Sequence, residues 1–223
     1  MLKGSWSRAV LAAVVLASAV PSVQAETKKF DFTKKSELTQ WKDLRGEWFI
    51  SSRGFAPRNQ KKSEFSLATS IYDKRTFSDV KIKYASAVKF DHSRTSFLWL
   101  RSSYKKNGKY YEISGYNVVA YTQTQGDPYL SVEINRVKNL VLGGSRKSDT
   151  TTLCTSSSFS PRFKDPELTV ESKGDEIKIL HQGKLICSAK DKTFKRGYVG
   201  FSAANQWGTN VTSIQSATFS WPK

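Results

Sequence analysis

The last third of the chain is the part that most restricts its fold. Over residues 167–221, short runs of period two, Glu167-Leu-Thr-Val-Glu171, Glu176-Ile-Lys-Ile-Leu180 and Lys184-Leu-Ile-Cys187, are joined by Lys173-Gly-Asp175 and Gln182-Gly183 and followed by Gly197-Tyr-Val-Gly-Phe201. A period of two sends successive side chains to opposite faces of a strand, and glycine between such runs supplies the backbone freedom of a tight turn. Hairpins with one apolar face must stack on a second sheet, so the pattern predicts an all-β fold, an antiparallel β-sandwich.

Upstream segments fit the same architecture. Over 79–90, Val80, Ile82, Tyr84, Val88 and Phe90 share one face while Lys81, Lys83 and Lys89 share the other. Over 94–102, Phe97, Trp99 and Arg101 fall on one side and Leu98 and Leu100 on the other, so both faces of that strand are covered or one lines a cleft. Residues 29–32, 47–50 and 64–72 read as shorter strands, and 37–44 as a turn or a single helical turn holding Trp41. Residues 109–122 read as a long strand or a bent pair around Gly115, and 128–135 with 139–143 as a hairpin. Residues 145–165 are rich in Ser and Thr, lack either period, and read as an exposed loop pinned by Cys154; residues 211–221 close the sheet.

The first 25 residues carry Lys3 and Arg8, an apolar run over 9–20, then Pro21 and Val23-Gln-Ala25. This is the three-part layout of a secretory signal, and the run is shorter than the roughly 18 to 20 residues of a spanning helix. Cleavage after Ala25 is expected, leaving 26–223 as one β-sandwich domain, secreted or periplasmic, with no transmembrane segment. Losing Lys3 and Arg8 takes the net charge from +17 to +15. A surface this basic attracts polyanions, with an affinity that falls as salt rises, or serves solubility alone. Its charges are spread in pairs such as Lys61-Lys62 and Lys105-Lys106, and export argues against a nucleic-acid partner.

Cys154 and Cys187 are the only two cysteines, and in an oxidising compartment one disulfide is the economical reading. His92 and His181 do not stand at ligand spacing from either cysteine, and no clustered Asp/Asn run offers calcium its oxygens, so neither a metal nor any other cofactor is expected.

Several elements in order carry a resemblance: Phe30-Asp-Phe32 with Trp41 and Gly46-Glu-Trp48; Phe77-Ser-Asp-Val80; Ser96-Phe-Leu-Trp-Leu-Arg101; Gly115-Tyr116; and Gly183 before Gly197-Tyr-Val-Gly-Phe201. Over residues 28–221 the chain resembles the concanavalin A-like lectin/glucanase superfamily, and within it the laminin-G-like and 3-keto-disaccharide hydrolase domains. The resemblance implies a jelly roll of one convex and one concave sheet, with any sugar site on the concave face or its rim loops. In the hydrolase-like members a strand ending in Arg and a following Gly-Tyr-Glu face that concavity. Arg101 and Gly115-Tyr116 match, but Asn117 stands where the carboxylate would be, and an amide cannot shuttle a proton.

Glycoside cleavage needs two carboxyls about 5 to 10 Å apart across one bond. The Glu-x-Asp-x-x-Glu run of the glucanases is missing here. Glu112 and Glu133 are the candidate catalytic residues, with Asp91 and Asp127 on other segments. His92 beside Asp91 suits a polar turn or an acid–base pair. A sugar stacks its C–H face on an aromatic ring and gives its hydroxyls to Arg and amides. On that logic Trp99, Arg101, Asn117, Tyr121 and Trp207 are the candidate ligand-binding residues, although Trp99 also suits the core, as does Tyr116. The leading expectation is a non-enzymatic or weakly enzymatic carbohydrate-binding, lectin-like protein for acidic or cell-envelope glycans. The alternatives are a glycoside hydrolase or lyase acting on keto- or acidic oligosaccharides, and an envelope module that binds another protein or anionic lipid.

Overall fold

A computed structural model describes residues 24–58, 67–87, 94–123, 129–144, 148–159, 167–204 and 213–223. The chain opens with β1 (Ala25–Asp31), a 3-10 helix (Lys35–Gln40) and the short strands β2 (Trp41–Arg45), β3 (Trp48–Ser51) and β4 (Gly54–Pro57). Longer strands follow: β5 (Leu67–Phe77), β6 (Val80–Ala87), β7 (Arg94–Asn107), β8 (Tyr110–Gln123), β9 (Tyr129–Leu142) and β10 (Asp149–Phe159). The glycine-punctuated last third forms β11 (Glu167–Lys173), β12 (Glu176–His181), β13 (Lys184–Lys190), β14 (Gly197–Ala204) and β15 (Ser213–Pro222).

These strands make the two stacked antiparallel sheets of a jelly roll. One runs β13-β12-β11-β6-β15-β4-β3, with β1 also paired to β15; the other runs β10-β9-β8-β7-β14-β5-β2. Two segments depart from the sequence reading. Residues 128–135 and 139–143 read as the two strands of a hairpin, but Tyr129–Leu142 is the single strand β9, which stays paired to β8 on both sides of Asn139 at φ 56°. The expected loop over 145–165 contains β10, hydrogen-bonded to β9 along its length. As a sheet edge with exposed Thr152, Thr155 and Ser157, β10 has no need of an apolar period. Among the described residues no helix is long and apolar enough to cross a membrane.

The space between the sheets is filled by inward residues of both. An aromatic group occupies one part, with Phe32 stacked 4.9 Å from Phe55, Phe30 4.9 Å from Phe219, and Trp41 5.5 Å from Phe201. Aliphatic residues, among them Val132, Ile134, Val170 and Ile179, fill the part nearer β9 and β12, all of them fully buried. The Cys154–Cys187 disulfide is formed, and it joins β10 to β13, the edge strands of the two sheets.

At one end of the sandwich the chain crosses from β13 to β14, and the buried Tyr116 and the partly buried Asp191 hold that crossing. The Tyr116 hydroxyl donates to Asp191 Oδ1 at 2.7 Å and accepts from the Phe194 N–H. Asp191 also receives Thr193 N–H and Arg136 Nη1, each at 2.8 Å. Burial opposes ionisation of Asp191, but the bonds from Tyr116 and Thr193 and the charge of Arg136 outweigh it and hold its carboxyl down at about 2. A carboxyl depressed from 3.8 stabilises the fold fully above that value and loses its contribution as pH falls toward 2. Thermal melts should therefore lose about 2 kcal/mol from this group between pH 5 and 2. Asp191→Asn should be less stable at pH 7 and show a shallower loss on acidification; a variant with the wild-type acid slope would rule this assignment out.

Candidate functional site

The outer face of the seven-stranded sheet carries the chemistry. One line of register crosses it, joining Lys42, Ile71, Gly200, Trp99, Asn117, Asn135 and Thr152 on seven neighbouring strands. The β2 half of this line is apolar and closed. Leu44, Ile71, Trp99, Ile113, Val137 and Leu142 form a second buried cluster, drawn from this sheet alone and therefore lying outside the sandwich core. Gly200 makes this packing feasible, because a Cβ there would collide with the Ile71 side chain and the Ser70 carbonyl. At the far end Lys42 Nζ sits 4.9 Å from the Tyr104 ring centroid and 5.8 Å from that of Tyr111.

The β8–β10 half remains hollow. A cavity of about 300 Å³ is bordered by Trp99, Phe97, Asn117, Asn135, Val137 and Leu140, and walled by the chain from Leu142 to Gly144. That volume is at the lower end of ligand pockets, roughly 300 to 1,000 Å³, and the mixture of apolar walls with a few fixed polar groups is also typical of them. The two amides are held differently. Asn135 Oδ1 accepts from Thr152 Oγ1 at 2.7 Å, and its Nδ2 donates to Glu133 Oε2 at 3.1 Å. Asn117 is 5% exposed, and its Nδ2 has no hydrogen-bond partner. A buried donor left unmade costs about 1 to 3 kcal/mol, which a ligand acceptor would relieve.

The residues expected to bind ligand divide sharply. Asn117 borders the cavity. Trp99 borders it too, but it is 0% exposed, with Nε1 donating to Ser202 Oγ at 2.8 Å, so it forms the floor and offers no open ring. Tyr121 lies on the same strand face as Asn117, four residues on and beyond the cavity, between Thr95 and Ser131. Trp207 lies outside the described residues, as do Asp91, His92 and Asp127.

Arg101 requires a correction. Alternation placed it beside Trp99, yet it has φ 47° at an irregularity in the β7–β8 pairing, and its side chain turns to the sandwich end. There it is 1% exposed and donates to the carbonyls of Ser78 at 2.7 Å, Phe194 at 3.1 Å and Gly174 at 2.6 Å, with Asp79 Oδ1 3.6 Å away. These bonds from its guanidinium all go to the scaffold.

Of the candidate carboxylates, Glu112 has the parity opposite to Asn117 on β8. It is 6% exposed and ion-paired to Lys105 at 2.9 Å, so its expected place near the cleft is also corrected. Glu133 is on the open face, two residues from Asn135, whose amide N–H it accepts. Among the described residues bordering the cavity none is a carboxylate, and among the described residues no group of His, Cys, Asp and Glu could hold a metal ion. Sequence reasoning missed Asn135, Thr150 and the partly exposed Phe97 as cavity residues. Residue parity with Asn117 and Trp99 identifies the face of Phe97, but Thr150 needed β10 to be recognised as a strand.

No family model matches the chain, and no curated protein matches it in sequence. Its fold does match solved structures. A carbohydrate-binding module from Bacillus subtilis aligns with a TM-score of 0.53 at 20% identity, over 79% of this chain and 92% of that one. The kappa-carrageenase of Pseudoalteromonas carrageenovora, solved with an oligotetrasaccharide of kappa-carrageenan, aligns at 0.57 and 8% identity, over 93% and 99%. A legume lectin-like domain from Entamoeba histolytica aligns at 0.54 and 13% identity, over 86% and 95%. At these identities the likeness is one of fold. What these structures share with the chain is the two-sheet, concanavalin A-like jelly roll described above.

Proposed function

We propose that the protein is a secreted or periplasmic carbohydrate-binding β-sandwich whose sugar site is the hollow beside Asn117. The observation that carries this reading is the buried, unpartnered Asn117 Nδ2 at a cavity whose walls are otherwise mostly apolar, with Asn135 and Thr150 as the other polar groups. A sugar ring suits such a place because its C–H face packs on Phe97, Val137 and Leu140 while a hydroxyl or ring oxygen accepts the amide. The fold shared with a carbohydrate-binding module and a lectin-like domain supports the same class of ligand. Hydrolysis is less well supported. Among the described residues the cavity border holds no carboxylate, Glu133 stands beside it, and Glu112 faces away, whereas cleavage needs a facing pair.

A glycan array on the purified protein at low ionic strength tests the reading, and absence of binding to every glycan would overturn it. Asn117→Leu should weaken the best binder by about tenfold or more, while stability stays within about 1 kcal/mol, since the substitution removes a donor that the free protein leaves unbonded. A variant that binds as tightly as wild type would move the site elsewhere.

A further inference from the structure

We infer that a second cavity, lined by Arg45 and Lys109, is an anion site taking the sulfate or carboxylate group of an acidic glycan whose neutral ring fills the Asn117 hollow. The inference rests on the sugar reading for its ligand, but its site stands on separate geometry. The cavity is about 400 Å³ and shares Leu142 and Gly143 with the Asn117 hollow, so the two lie against one wall of chain. That wall is fixed from the cationic side: Arg45 Nη1 donates to the Leu142 carbonyl at 3.1 Å. Gly143, at φ 82°, packs so closely on the guanidinium that a Cβ would overlap it.

Lys109 supplies the second charge. Its Nζ lies 5.1 Å from the Tyr110 ring centroid, and no ion pair holds it among the described residues. The remaining border is Leu44, Gly46 and Tyr110, with no carboxylate among the described residues that line the cavity. An oxyanion between the Arg45 and Lys109 side chains takes charge-assisted hydrogen bonds from both. A guanidinium presents a planar donor fork that suits sulfate and carboxylate oxygens, and an ammonium adds a movable point charge. Tyr110 offers an apolar surface for the carbon to which the anionic group is attached.

The test uses ¹⁵N-labelled protein titrated with sodium sulfate against sodium chloride at constant ionic strength. Saturable shifts are expected at the amides of Gly46, Tyr110 and Gly143, with an affinity about tenfold weaker in Lys109→Met. Shifts that stay linear, or a Lys109→Met variant that titrates as wild type, would overturn the site. A second arm compares a neutral oligosaccharide with its sulfated and uronate forms. The acidic forms should bind about tenfold more tightly than the neutral one, with Lys109→Met erasing the difference and keeping the neutral affinity. The better of the two acidic forms identifies which oxyanion the cavity takes. Equal binding of all three, unchanged in Lys109→Met, would keep the sugar reading and remove the anion site. Saturable sulfate binding with no oligosaccharide bound would keep the anion site and remove the sugar reading.

Discussion

Arg101→Ala should lower the unfolding free energy by about 3 kcal/mol, read as a fall in the urea midpoint, and should leave the geometry of the Asn117 hollow intact in the molecules that remain folded. The loss comes from the groups that the arginine leaves orphaned. The guanidinium is 1% exposed and donates to the carbonyls of Ser78, Gly174 and Phe194, which belong to three different connections at one end of the sandwich. Asp79 Oδ1 balances its charge and also accepts the Gly174 N–H at 3.0 Å, so removing the arginine strips a partner from three acceptors and a counter-ion from a fourth. Burial pushes the Arg101 guanidinium below its ordinary value, with Tyr116 and Asp79 acting in the opposite direction; it remains protonated at any pH at which the protein folds. Arg101→Lys should recover little, because one ammonium cannot reach three diverging carbonyls. A variant with the wild-type urea midpoint and a specific loss of sugar affinity would instead return Arg101 to the ligand site.

The case of Arg101 shows where reading the sequence succeeds and where it stops. Period two located β6, β11, β12 and β14 because each has one wet or one core face, and that contrast is written in residue type. It also put Asn117 on the outer face of its strand. Yet alternation counts residues on the assumption of an unbroken pleat, and the φ 47° of Arg101 breaks it. No residue type at positions 100–103 announces the break, since arginine has no preference for that conformation. For Glu112 the sequence does carry the answer: five residues from Asn117 on the regular strand β8, it has the opposite parity and so the opposite face. The β10 strand was hidden because an edge strand bearing Thr and Ser has the composition of a loop.

The filling of the outer face was also illegible, and it bears on function. Ile71, Trp99, Val137 and Leu142 come from three strands, and only the register shows that they meet across the sheet. By closing the β2 half of the face, they leave a recess of about 300 Å³ where a long open groove would otherwise run. A closed half face favours a ligand held by one ring or one end over a polymer laid along the whole sheet. The adjoining cationic cavity then extends recognition sideways, past the Leu142–Gly143 wall, and not along the strands.

Reduction of Cys154–Cys187, or its replacement by serines, should cost about 3 to 4 kcal/mol, the chain-entropy value for the 33-residue separation. The position of the bond suggests a second consequence. It ties β10 to β13, and these are the outermost strands of their sheets on the same side of the sandwich, so it closes an edge that hydrogen bonds between the sheets cannot. β10 pairs on one side only, with β9, yet it carries Thr150 at the cavity border and Thr152, whose Oγ1 fixes the Asn135 amide. Loosening β10 should therefore weaken sugar binding under conditions in which the body of the fold persists. Titration with dithiothreitol at low urea should show affinity falling before the near-ultraviolet signal of the buried aromatics is lost. If the two fall together, the disulfide acts on the fold as a whole and has no separate role at the hollow; if neither moves, the staple contributes nothing that the packed core does not already supply.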